Sequence, residues 1–138
     1  MSERGVMKLD ELLSGMSPLL DPMRYVFVSV PRGEAMQSLE HALMLFHEHE
    51  GTTLVLADDA TLDQRFVNEP KFARITLMVH SSLHAVGLTA AVSDALATSG
   101  IPANMAAANF HDHVFVPVER ATDAMQALSA LSRAAQGA

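Results

Sequence analysis

Residues 75–117, ITLMVHSSLHAVGLTAAVSDALATSGIPANMAAANFHDHVFVP, switch between two hydrophobic periods without a break. Ile75 to Val79 is a short apolar run of the kind that is buried in a sheet. Leu88, Ala91, Val92, Ala95 and Leu96 then fall at the i, i+3, i+4, i+7, i+8 spacing of a helix packed along one face, and Gly100 stops it. Ile101 to Ala107 and Val114 to Val118 read as two more strands, joined through Asn109, Phe110, His111 and Asp112. Links as tight as Ser99-Gly100-Ile101 keep neighbouring elements in contact, so the helix must lie against the strands that flank it.

The rest of the chain continues the alternation. Met7 to Leu13 reads as a short amphipathic helix or turn, ended by Gly15, Pro18 and Asp21-Pro22. Tyr25 to Val30 is rich in β-branched and aromatic residues and stops at Pro31-Arg32-Gly33, a strand followed by a turn. From Glu34 to Glu50, Ala35, Met36, Leu39, Ala42, Leu43 and Phe46 recur three or four apart, which predicts the longest helix of the chain, capped at Gly51. Thr52 to Ala57 is a further strand, Asp58-Asp59 can cap a short helical stretch to about Gln64, and Asn68-Glu69-Pro70 marks a break. Ala121, Ala124, Met125, Leu128 and Leu131 mark a last helix, with a loose tail after Arg133. The break near residue 70 divides the chain into two halves, 1–70 and 71–138, each with strand, helix and strand in order.

Composition narrows the partners. A net charge of −7 and only nine Lys and Arg argue against nucleic acid and against an anionic membrane surface. The absence of Cys removes disulfides, thiolate nucleophiles and Cys-based metal sites, and fits a reducing compartment. The first residues carry acidic groups and no apolar run of signal-peptide length, and residues 75–96 are interrupted by His80, Ser81, Ser82, His84 and Asp94, so neither export nor a membrane span is expected. A cytoplasmic location is the expectation.

Chemistry concentrates at the turn before the second-half helix. Gly87 lets the backbone approach a ligand, the N–H groups of Leu88 and Thr89 at the helix start can donate to an anion, and Ser81 and Ser82 add hydroxyls. Close packing of helix on sheet accounts for the same glycine. His111-Asp112-His113 is the best metal candidate, because His111 and His113 share one face of an extended chain with Asp112 opposite, but a catalytic site needs a third ligand. His47 and His49, two apart on the expected helix, point to different faces and read as solvated surface. No G-x-S-x-G or P-loop is present, and a serine beside a histidine in sequence is not a triad. The nine Met residues read mainly as core filling.

Residues 75–131 resemble an ACT domain, the βαββαβ ferredoxin-like amino-acid-sensing module, and HSSLHAVGLTAAVSDAL with GIPANMAAANFHDHVFVP is similar to small stand-alone bacterial proteins made of two ACT-like units. YVFV at 25–28 and EGTTLVL at 50–56 extend the likeness to the first half. The resemblance implies an α+β fold of two tandem two-layer ACT-like units, a non-enzymatic regulatory role without a cofactor, and a small-molecule ligand, an amino acid, held at an inter-unit interface of a homo-oligomer. Carried over by position, it makes 80–83 the exit of the first strand, Gly87 the marker glycine, and Asn104 the second-strand residue facing the site. His84 and Val86 stand where the broader pattern has an acidic residue and a Pro. Recognition of an amine would then fall to Asp112 or Glu50, or the ligand lacks an amine. The expected ligand site is therefore Ser81, Ser82, His84, Val86, Gly87, Leu88, Thr89, Asn104 and Asp112. The competing expectations are a small metal-dependent enzyme using His111, Asp112 and His113, or a partner-binding protein without a ligand.

Overall fold

The structure, a computed structural model, describes residues 8–137. Its elements in chain order are α1 (Leu9–Ser14), β1 (Pro18–Val30), α2 (Arg32–Ala35), β2 (Ala42–His47), β3 (Thr52–Ala57), β4 (Phe72–Leu77), α3 (Leu88–Thr98), β5 (Asn104–Ala107), β6 (Asp112–Pro117) and α4 (Ala121–Gln136). The chain is α+β, and it forms two compact units: a larger one of residues 73–137 with the N-terminal segment up to Asp21, and a smaller one, Pro22–Phe72.

The larger unit is ordered β4-β6-β5, with β5 and β6 antiparallel. Alternation decides its faces: Ala73, Ile75 and Leu77 of β4 are buried, as are Val114 and Val116 of β6, and they share one core with Leu88, Val92 and Leu96 of α3 and Ala124 and Leu128 of α4. Leu12 and Met16 from the N-terminal segment are fully buried in that same core. Met16 O accepts from Met78 N at 2.7 Å, and Arg74 Nε and Nη2 donate to Asp21 Oδ2 at 3.1 and 2.8 Å. Rising numbers on one side meet falling numbers on the other, so residues 16–21 run antiparallel beside β4. They occupy the position that the last strand of a βαββαβ unit takes next to its first. The linear division at residue 70 therefore differs from the packing: residues 8–21 precede the smaller unit in sequence yet are built into the larger one.

The smaller unit is ordered β2-β3-β1, all antiparallel, with Tyr25↔Ala57 to Val30↔Thr52 in register on one side of β3 and Leu45↔Leu54 to His47↔Thr52 on the other. Its core is Val26, Val28, Val30, Ala35, Leu54, Leu56 and Leu62. The helix expected over Glu34–Glu50 is a single turn, α2, a 3₁₀ turn at Met36–Ser38, and then the strand β2. The run Ala42-Leu43-Met44-Leu45-Phe46 satisfies either period, and pairing with the open side of β3 wins. A bulge between Ala42 and Met44 absorbs the mismatch in alternation. His47 is thus a strand residue, its Nδ1 2.8 Å from Thr52 Oγ1, and not part of a helix surface.

Two smaller differences have local causes. Asp59 Oδ1 accepts from Thr61 N and Oγ1 and closes a turn instead of starting a helix, while Asp63 caps the 3₁₀ turn Gln64–Phe66. The last helix does not loosen after Arg133, because Ser132 Oγ and Gln136 Nε2 both donate to Ser14 O and hold its end against α1. The helix expected over 7–13 is α1, with Met7 outside the described residues.

Candidate functional site

The loop from β4 to α3 carries the turn singled out in the sequence, and its geometry follows from its residues. Ser82 makes the bend: its Oγ accepts from His84 N at 3.1 Å and its carbonyl accepts from Ala85 N at 3.0 Å. Gly87 takes φ +106°, a left-handed value that a side chain would strain, and its carbonyl accepts the first α3 bond from Ala91 N at 2.9 Å. No side chain caps the start of α3. The first amides of a helix point away from it without helical partners, and the summed peptide dipoles place partial positive charge there.

Across from that helix start lies the β5–β6 hairpin. Ala107 pairs with Asp112 and Met105 with Val114, so all four side chains leave the sheet on the helix side. Asp112 Oδ2 accepts from Oγ of buried Ser81 at 3.0 Å. Between hairpin and loop is a cavity of about 160 Å3 lined by Ser81, Ser82, Gly87, Leu88, Thr89 and Asp112, closed by Leu83, Ala85 and Ala107. One wall thus carries a carboxylate and the other unpaired amide donors. That pairing suits a small zwitterion: a cationic head at Asp112 and an anionic head at the α3 terminus.

The structure does not bring the other three expected residues there. Asn104 is opposite Phe115 in the ladder, hence on the opposite face of the sheet, a consequence of strict alternation along β5. His84 is exposed, and Val86 is 82% exposed. Neither lines the cavity. Ala107 is brought to the cavity by the hairpin register Ala107↔Asp112, which residue type and spacing alone do not reveal.

The His111-Asp112-His113 segment is divided by the same alternation. Asp112 turns to the cavity, whereas His113 Nδ1 lies 2.9 Å from Thr76 Oγ1 on the other face. Burial, with help from the Arg74 charge, pushes the His113 pKa below its ordinary 6.5. His80 stacks at a tilt near Phe110, ring centroids 5.4 Å apart. Among the described residues no group of three or more His, Asp or Glu could hold a metal ion. No helix among them is long and apolar enough to cross a membrane.

Two α+β units with a cavity beside the loop between β4 and α3 fit a regulatory, small-molecule-binding class of fold. ACT-domain family models match residues 4–69 and 73–130, and the chain belongs to the ACT-domain family. It is 41% identical to a solved Vibrio cholerae protein of unknown function, VC0802, described as a possible transport protein, covering 90% of this chain and 95% of that one with a TM-score of 0.75. The regulatory subunit of aspartate kinase from Thermus thermophilus, in its ligand-free form, matches at TM-score 0.65 and 13% identity over 85% of this chain and 97% of that chain. That from Thermus flavus matches at TM-score 0.60 and 16% identity, over 85% and 96%. At these identities the two kinase subunits show the shared fold alone. No curated protein matches the chain.

Proposed function

We propose that the chain is a non-enzymatic regulatory protein of the cytoplasm that binds a free amino acid in the cavity beside Gly87 and works as a homo-oligomer. One observation carries the reading: a carboxylate, Asp112, and the uncapped start of α3 line the same small cavity. Walls of opposite polarity around one small cavity favour a ligand with both an ammonium and a carboxylate over a simple anion or cation. Ser81 positions Asp112 by donating to its Oδ2, and Thr89 and Ser82 supply hydroxyls around the ligand. His84, Val86 and Asn104 have no part in this version of the site. We read 1–70 and 71–138 as the two ACT-like units, with the N-terminal segment completing the second.

A thermal-shift screen of the twenty amino acids tests this. A ligand at 100 times its Kd adds about 2.7 kcal/mol to the folded state, so one or a few amino acids should raise the melting temperature measurably. Asp112→Asn should abolish that rise while leaving the ligand-free melting temperature nearly unchanged, since Asn still accepts from Ser81. A flat screen, or a rise that survives Asp112→Asn, refutes the reading.

A further inference from the structure

The smaller unit holds a cavity of its own, of about 150 Å3. Its floor is apolar, built by Val30, Leu54 and Leu56, and its rim carries Glu34, Asp63 and Arg65. Arg65 lies along this rim: Nη2 donates to Glu34 and, at 3.3 Å, to Asp63, and the guanidinium stands 4.7 Å above the Phe66 ring. Asp63 is occupied twice over, since its Oδ1 also accepts from Arg65 N at 2.9 Å. Glu34 accepts only from Arg65 among the described residues, and a carboxylate has about four acceptor positions. Two carboxylates against one guanidinium, with the His41 imidazole also on the lining, give the rim an excess of acidic over permanently charged basic groups above an apolar floor, in a chain whose net charge is already −7.

We propose that this cavity is a second ligand site, one that takes a small aliphatic ammonium ion, its alkyl chain on the Val30–Leu54–Leu56 floor and its charged nitrogen at the Glu34 carboxylate. The site lies wholly within the smaller unit and does not depend on the cavity beside Gly87. Glu34 and Arg65 side chains are 32% and 55% exposed, so the charge contribution is screened by water and salt and the affinity is modest.

The test is an NMR titration of the intact chain with n-butylammonium chloride, alongside 1-butanol and sodium butanoate of equal chain length. The ammonium should give saturable shifts confined to amides around Glu34 and 61–66, with an affinity about tenfold or more above that of the alcohol. Added sodium chloride should weaken it, and Glu34→Gln should bring it down to the level of butanol. Equal binding of the alcohol, preference for butanoate, or an affinity indifferent to salt overturns the proposal. Should Glu34→Gln disturb the fold, Asp63→Asn keeps the turn's acceptor, removes the other rim charge, and must lower the affinity in the same direction.

Discussion

Gly87 and Gly33 both read as turn glycines in the sequence, yet they behave oppositely in the structure. At Gly87 the backbone sits at φ +106°, and an added Cβ would lie 3.2 Å from the Leu9 Cδ2 methyl. The methyl can move, but the backbone cost remains. Gly87→Ala is expected to destabilise the protein by about 1–2 kcal/mol, read as a shift in urea midpoint at constant m-value. Gly33, inside α2, has nothing within 4 Å of its would-be Cβ, and Gly33→Ala should be neutral or stabilising by up to about 1 kcal/mol in the same measurement. His113 supplies a second residue-level prediction. Burial lowers its folded pKa below the unfolded 6.5, so the unfolded chain binds the proton more readily. Its neutral form therefore contributes stability that is complete above pH 6.5 and is lost as the pH falls through the lowered folded value. His113→Gln, still able to bond Thr76, should flatten the stability-against-pH curve in that window. An unchanged slope would show that the ring titrates alike in both states. What the sequence could reveal at this scale was residue type and spacing. The face each residue occupies was legible for Asp112 and not for Asn104, because a strand's two faces are fixed only once its register with a neighbour is known.

Elements were legible where one hydrophobic period dominates. The α3 stripe and the β3 run each satisfy one template and were placed to within about two residues. Residues 34–50 satisfied two. Met36, Leu39, Leu43 and Phe46, which supported the helical stripe, are all exposed in the structure, whereas Ala42, Met44 and Leu45 are half-buried in β2. The backbone bonds on offer from β3 outweigh a weak local preference. The N-terminal segment illustrates the other limit. Nothing in KLDELLSGM indicates that Leu12 and Met16 are buried against α3 and α4, over a hundred residues away in the case of Ser14 and its partners Ser132 and Gln136. Leu12→Ala removes a fully buried side chain from α1, a short helix packed into this core, and should cost about 2–5 kcal/mol by equilibrium denaturation. Leu13→Ala, half-buried on the same helix, should cost well under half as much. Equal losses would mean that α1 is held by its end contacts with α4 instead of by its buried face.

Across the molecule, the resemblance of residues 75–131 carried the family, but the surface that meets other molecules had to be found in three dimensions. Large apolar side chains are exposed close to the Gly87 cavity: Leu83, which lines it, is 68% exposed, Val86 82%, and Phe110, beside His80, 61%. Scattered singly, such residues are ordinary, but contiguous apolar patches on monomers are uncommon and mark association sites. These three lie on the loop and hairpin that form the cavity walls, so a second copy seated there would shield the ligand from water and strengthen both of its charged contacts. The chain should therefore sediment at twice its monomer mass at micromolar concentration, burying the roughly 1,200–2,000 Å2 typical of a stable dimer. Replacing Val86 and Phe110, neither of which lines the cavity, together by Lys adds two charges to the patch without touching the core, and should shift the sedimentation profile to monomer while the melting temperature at low concentration stays put. The same double variant should bind the amino-acid ligand at least about tenfold more weakly, the loss expected when one wall of a shared site is removed. A variant that stays dimeric would place the interface elsewhere, and one that turns monomeric yet binds with undiminished affinity would make the cavity a complete site in each single chain.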